Sequence, residues 1–581
     1  MTSFLFQSKA ATNPAAVQDT PAVGRKDNTV FERFTTTFLA LATLGWVANP
    51  QAQGNDHTDS LTRPSAQLLE TSGINHEGLT FAVQPADIRR FDLTLDDVIQ
   101  RALERNLDIA VERINPQVFD LTLAQQNAFY RPTVDLNLNS SSRTNPSSTQ
   151  LDGGDVTETD TANLDVSLNQ PVKWGGGSLS LGFDNNRQET TNAFSSFNPG
   201  YRSSFVSQYT QPLLKGFRTD NNRSQLQVTR INRDISDIDL RQTITNTVAD
   251  VENAYWELLY AVASVGVQQQ ALTLAEQLIL DNQARVDIGT LAPIDVVQSQ
   301  AEAAARRQTL AQAQQVRRTS ELALKRLIVG GTQDELWNAE INPVDQPQLD
   351  QPPIDIAAAV NRALGQRTDL SRAQRQQDIN QLNVGTLRNN TLPALDLVAN
   401  FNLQGQGGDL LVRDFFNFGG EAATIIPGGY GDAIDHIVDA RFPVWTVALQ
   451  MSYPIGTSSD EAALERARLQ IRQTEAQLRQ LELNAATEVT NAALQVESIR
   501  ERIDAAIASR DLSEQQLSAE ESKFSIGTST NFFVVQAQRD LATARDTELR
   551  AILDYQKAVV ELDRLQQTSI ARTGISIVGG G

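Results

Sequence analysis

Residues Arg285–Gln300 read RVDIGTLAPIDVVQSQ, and residues Lys523–Gln538 read KFSIGTSTNFFVVQAQ. Both copies hold Ile-Gly-Thr, a freer stretch, Val-Val and then Gln-x-Gln. Gly289 and Gly527 stand 238 positions apart. A glycine at such a point permits a tight or left-handed backbone that other residues resist. The phrase marks a turn that the chain builds twice.

The repeat extends well beyond the turn. RALERNLDI from Arg101 matches RALGQRTDL from Arg362, and PTVDLNLN from Pro132 matches PALDLVAN from Pro393, both at an offset of 261. The two offsets differ by 23, so the first copy carries 23 more residues between its Pro-strand and its Gly turn. Two copies are too few for a solenoid. They indicate a duplicated unit folded into two similar halves.

Each half starts with an amphipathic helix, over about 96–130 and 355–390. Strands follow. Val134, Leu136 and Leu138 alternate with polar residues, as do Leu395, Leu397, Ala399, Phe401 and Leu403. That period of two predicts one apolar and one wet face. YRSSFVSQYTQP from Tyr201 and WTVALQMSYP from Trp445 are further strands, ended at equivalent places by Pro212 and Pro454. The first half also holds two alternating runs around KWGGG, residues 173–177, a hairpin that accounts for the 23 extra residues. A long helix comes next. Residues 222–287 contain no proline and a single glycine, Gly266, and residues 459–525 contain neither. Apolar residues recur every three or four positions, as in coiled-coil packing. About 66 residues at ~1.5 Å each give a helix about 100 Å long. After each Gly turn a shorter helix returns, over about 293–329 and 531–568, with Pro293 in a first turn that accepts proline. The returning helix covers about half the long one, so the helix that opens each half would stack on its end and cover the rest. The strands then lie at the end opposite the Gly turns.

Composition narrows the function. The 581 residues carry 70 Asp+Glu against 49 Lys+Arg, a net charge of −21, which argues against a phosphate backbone as partner. No run approaches the roughly 20 apolar residues a membrane helix needs. The absence of cysteine removes disulfides, thiolate metal sites and cysteine nucleophiles. His57, His76 and His436 are far apart in segments that read as solvated loops. Phosphate loops, nucleophile elbows and His-carboxylate clusters are missing, so the reading is no enzyme, no cofactor and no metal. The Gly-rich VGG from Val329 and PGGYGD from Pro427 read as loops. At the N-terminus a basic segment, the apolar run Phe34–Val47 and ANPQAQG are patterned as an export signal. The domain reading is 1–52 signal region, 53–90 polar linker, 91–330 first repeat, 331–353 connector, 354–568 second repeat and 569–581 tail.

With the two Gly turns, the strand ends YTQPLLKGF and MSYPIG, the RP and LP helix-to-strand steps and two unequal helices per half, the chain resembles the TolC-like outer-membrane efflux proteins from about Phe91 to Gln567. The fold class this implies is mainly α with a β-barrel part. Duplicated long helical hairpins form a trimeric periplasmic α-barrel joined to an outer-membrane β-barrel. The resemblance implies an exit duct of a tripartite efflux or type I secretion system in the outer membrane. Its implied partners are a periplasmic adaptor and an inner-membrane pump. The alternative reading is an exported coiled-coil structural or adhesion protein.

Physical chemistry supports the barrel in part. Lipid tolerates strands only when every edge is paired. Four wall strands per chain are too few for a channel, whereas three chains would supply about twelve. The extra hairpin would either lengthen an external loop or join the wall. Alternation directs Val134, Leu136, Leu397 and Trp445 to lipid and Asp135, Asn137, Asp396 and Asn400 to the lumen. Tyr209 and Tyr453, like Trp445, sit near strand ends where aromatic belts form. The family likeness makes Ile288, Gly289, Thr290, Ile526, Gly527 and Thr528 the tips that meet the adaptor, and the second hairpin the moving part of an iris. Its best-known member lines the constriction with aspartates after the second Gly turn. The equivalents here are Phe533 and Gln536, beside Phe532, whereas Asp295 matches an acidic position near the gate. A phenyl plug and simple packing between helices are both open readings of these rings. On the plug reading Phe533 faces the lumen and Phe532 packs.

Overall fold

The chain divides into two units, Met1–Ala82 and Val83–Gly581. The computed structural model describes residues 89–146, 155–349, 353–413, 424–456 and 458–569, all in the second unit. The signal region, most of the 53–90 linker, His57, His76 and the tail beyond Ser569 lie outside the described residues.

A short strand β1 (Arg90–Leu93) leads into three consecutive helices, α1 (Leu95–Arg105), α2 (Leu107–Glu112) and α3 (Asn115–Ala128). The sequence predicts one continuous helix here. Asn106 breaks it by leaving the helical region and capping α2, accepting hydrogen bonds from the backbone N–H groups of Asp108 and Ile109. Pro116 then opens the third piece, where its missing N–H costs nothing.

Four strands follow: β2 (Thr133–Pro146), β3 (Val156–Pro171), β4 (Ser178–Thr190) and β5 (Phe197–Pro212). The long helix α4 (Asn221–Asp287) has 67 residues and the returning α5 (Pro293–Ile328) has 36. A connector with the short strand β6 (Glu340–Pro343) pairs in parallel with β1. The second half repeats the plan. Helices α6 (Ile356–Gln366) and α7 (Thr368–Asn390) are again two pieces where one is expected, parted at Arg367 by an extended backbone. Then come β7 (Ala394–Val412), β8 (Thr424–Ile426), α8 (Tyr430–Val438) and β9 (Pro443–Ser452). Helix α9 (Ser459–Ser525) has 67 residues and α10 (Asn531–Gln566) has 36, matching α4 and α5 residue for residue in length.

The wall corrects a second expectation. Its strands run β2-β3-β4-β5-β7, with β9 on the far edge of β7 and β8 only at the tip of β7. Among the described residues the sheet therefore holds six long strands, because the extra hairpin β3–β4 is built into it. His436 corrects a third. It is half-buried on α8, not on a loop, and packs edge-to-face on Phe442 with ring centroids 5.3 Å apart.

The helical core forms where α1, α4 and α5 meet the small sheet. Val98, Ile99, Val248, Val251, Tyr255, Leu324, Ile328 and Ile341 pack there. The buried Tyr255 donates its hydroxyl to Asp345 at 2.6 Å, and burial pushes that phenol far above its ordinary pKa. A second cluster joins α6, α9 and α10 through Ala359, Ala363, Val489, Val496, Ile503 and Tyr555. Among the described residues, no helix is long and apolar enough to cross a membrane.

Candidate functional site

The two Gly turns share one geometry. Ile288 has φ −91° and ψ 2°, and Ile526 has φ −91° and ψ 3°. Gly289 follows at φ 76° and Gly527 at φ 79°, in the left-handed region that side chains resist. In each, the backbone N–H of the following threonine donates at 2.9 Å to a carbonyl five residues back, Thr290 to Arg285 and Thr528 to Lys523. Helix ends that close this way satisfy carbonyls that would otherwise lack partners. Ile288 and Ile526 are exposed, 74% and 75%. A bulky apolar residue stands exposed at the apex of each turn.

Just behind the tips, polar groups tie one hairpin to the other. Asn282 of α4, fully buried, donates to Ser299 Oγ of α5 at 2.7 Å and to Asn531 Oδ1 of α10 at 2.8 Å. Asn531 donates in turn to the Asp295 carbonyl at 3.2 Å. A further tie joins Glu302 of α5 to Arg539 Nε of α10 at 2.9 Å, with Arg306 Nε at 2.7 Å on the other oxygen. Burial pushes the Glu302 carboxyl up, but the two arginines prevail and hold it below the usual range. Sequence reading missed this cluster. Its one signal was an asparagine at 282 in step with the apolar stripe Leu272, Ala275 and Leu278.

Phe532 and Phe533 follow in the first turn of α10. Both are more than half exposed, and they meet edge-to-face at 5.6 Å. Asn531, Val534, Val535 and Gln538 are the buried side of that turn, so both rings lie on the opposite arc. Asp295 and Gln536 are half-buried, and Gln536 donates to Asp540 at 2.8 Å.

At the other end, strand register sorts the wall into two faces. One cross-strand row reads Val134, Leu168, Leu181, Ser207, Phe401 and Trp445, and the next reads Leu136, Val166, Phe183, Phe205, Leu403 and Pro443. Leu397 and its partner Leu449 share that apolar face. Tyr209 lies there too and donates to Gln211 at 2.7 Å. Above the apolar rows α8 packs on the same face over Gly405 and Gly407. A Cβ at Gly405 would lie 1.8 Å from the Ala433 carbonyl oxygen. The opposite face holds Asp135, Asn137, Asp396 and Asn400 together with Ser167, Ser180, Gln208 and Asn402. Its side chains form ladders, Asn137 to Asp165 and Asn169 to Asp135 at 3.2 Å each, and Asn186 to Asn163 at 2.6 Å.

A sequence profile described as Outer membrane efflux protein matches residues 176–330 and 359–566. The fold is similar to solved bacterial structures. CusC is 15% identical with a TM-score of 0.59, over 82% of this chain and 92% of that one. The Campylobacter jejuni CmeC outer membrane channel is 15% identical with a TM-score of 0.58, over 81% and 85%. The open state of the Neisseria gonorrhoeae MtrE outer membrane channel is 18% identical with a TM-score of 0.53, over 83% and 92%. No curated protein matches the sequence at significant similarity.

Proposed function

The chain belongs to the outer membrane efflux protein family, and from that premise we propose that it acts as a homotrimer whose helical tips receive cargo from a periplasmic adaptor and an inner-membrane pump. It is an outer-membrane channel that extends into the periplasm and serves as the exit duct of an efflux or secretion system. The observation that carries the fuller reading is the two-faced wall. One face carries largely apolar rows that run across all six long strands, the other carries Asp135, Asn137, Asp165, Asp184, Asp396 and Asn400 with Val206, Val398 and Val444 among them, and both edges are open. A sheet of this kind is stable in lipid only when its edges close on further strands. An exported coiled-coil or adhesion protein has no use for such a wall. Fractionation tests the assembly: outer-membrane protein should run as a trimer in unheated detergent and as a single chain after boiling. A monomer before heating overturns it.

On this reading Val134, Leu136, Leu397 and Trp445 meet lipid, and Asp135, Asn137, Asp396 and Asn400 line the lumen. Among the described strand residues the lumenal face also carries Asp165 and Asp184, against the cations Arg143 and Arg202. Carboxylates in excess on a pore wall favour cations. Reversal potentials under a KCl gradient should therefore report cation selectivity, and anion selectivity would place the acidic face outside.

Ile288, Gly289, Thr290, Ile526, Gly527 and Thr528 are the adaptor contacts, and Asp295, Phe532, Phe533 and Gln536 surround the entrance. The second hairpin moves relative to the first, and the ties from Asn282 and Glu302 hold it shut. The Glu302 carboxyl has a lowered pKa in the folded state. Its tie is thus complete above the ordinary value of about 4.3 and is lost only as pH falls through a lower one. Wild-type channels in planar bilayers should stay mostly closed from neutral pH to about pH 5 and open more often in stronger acid. Glu302→Gln should open more often already at neutral pH. Equal open times for the two proteins at neutral pH would remove Glu302 from the latch.

A further inference from the structure

We infer that β9 of one copy pairs antiparallel with β2 of the next in a fixed register, so that three chains close an eighteen-stranded wall. The inference rests on the trimeric reading above and adds the seam and the strand count. Both edge strands are almost wholly exposed in the single chain, including Leu136 and Leu449 at 62% each.

The register follows from the duplication. β2 and β7 are equivalent strands, offset by 261 from Pro132 to Pro393. β5 and β9 are equivalent too, offset by 242 from Pro212 to Pro454. Inside the chain β5 pairs with β7, which is the junction between the two halves. The junction between neighbouring chains is the same junction one step further round. There Thr210 lies opposite Val398, Tyr209 opposite Ala399, and Gln211 opposite Leu397. Adding 242 and subtracting 261 sets Ser452 opposite Asn137, Met451 opposite Leu138, and Tyr453 opposite Leu136.

The faces provide an independent check. A register wrong by one residue would put apolar side chains in the lumen. In this register Met451, on the apolar face opposite Leu395, meets Leu138 of the same face, and the next residue on that side, Tyr453, follows toward Leu136. Ser452, on the polar face, meets Asn137.

The added strands are part of the wall and not a loop above it. The turn between β3 and β4 is anchored at the helical end, where Gln211 Nε2 donates to the Gly175 carbonyl at 2.8 Å. A Cβ on Gly176, which has φ 68°, would lie 2.5 Å from the Gly216 carbonyl oxygen. Diameter grows roughly linearly with strand number, so eighteen strands give a barrel about half as wide again as twelve. The duct widens above a helical tube that has gained no helix.

The chain has no cysteine, so engineered pairs can be read cleanly. Asn137→Cys with Ser452→Cys, oxidised in outer membranes, should give a covalent trimer on non-reducing gels after boiling. Asn400→Cys with Thr446→Cys, partners within one chain, is the positive control for oxidation on that face. Asn137→Cys with Thr446→Cys is displaced along the strand and should stay monomeric. If the seam pair fails while the control oxidises and unheated trimers persist, the register is wrong and the trimer stands. If the seam pair bridges within a single chain, or if unheated protein is monomeric, closure between copies is wrong as well. A covalent trimer from the displaced pair in place of the seam pair also overturns the register.

Discussion

Leu136→Arg is expected to destroy the heat-resistant trimer, whereas Asn137→Arg one residue along the same strand should leave it almost intact. Leu136 lies in an apolar cross-strand row with Val166, Phe183, Phe205 and Leu403. An arginine at the bilayer midplane costs a barrel roughly 2–4 kcal/mol, and a trimer meets that cost three times. Asn137 faces the other way and already touches Asp165 at 3.2 Å. An arginine there gains a carboxylate neighbour in water. Leu397→Arg and Asn400→Arg should repeat the contrast in the second half. The melting temperature of the trimer band in detergent, compared across the four variants, measures it. Equal losses at Leu136 and Asn137 would show that the two faces are assigned in reverse or that neither meets lipid.

Phe533→Ala is expected to raise single-channel conductance several-fold and to admit bulky antibiotics into intact cells. The rings of Phe532 and Phe533 project from the arc of α10 opposite its buried side, and they support each other edge-to-face. Three such pairs around a threefold axis can close a narrow opening by apolar contact and by expelling water. A seal of that kind should respond little to salt, unlike a ring of carboxylates. Phe532 is more than half exposed in the single chain and meets Phe533 edge-to-face. On the packing role expected of Phe532, Phe532→Ala should lower trimer stability more than it changes conductance. Bilayer recordings of both variants decide the matter. An increase for Phe532→Ala alone would exchange the two roles, and no change for either would remove the apolar gate.

Much of this architecture was legible in the sequence, because it is encoded locally. Helix length needs only an uninterrupted stretch without proline, and the equal 67- and 36-residue pairs follow from a repeat offset of 238. The sharp turns need a glycine at one position, and Gly289 and Gly527 take the positive φ that only glycine adopts freely. The two faces need alternation along a single strand, which Leu136 and Asn137 show without any partner.

What the tertiary structure alone decided depends on partners far apart in the chain. Whether β3–β4 hangs above the sheet or enlarges it turns on whether β4 finds β5 and β3 finds β2, and alternation reads the same in both cases. The breaks at Asn106 and Arg367 arise where one residue leaves the helical region for extended backbone, although each sequence is helical on either side. Asn282 and Asn531 are 249 residues apart, and neither segment points to the other until two hairpins bring them to 2.8 Å. A period can be read from one segment, but a pairing belongs to two. Only the folded chain brings those two together.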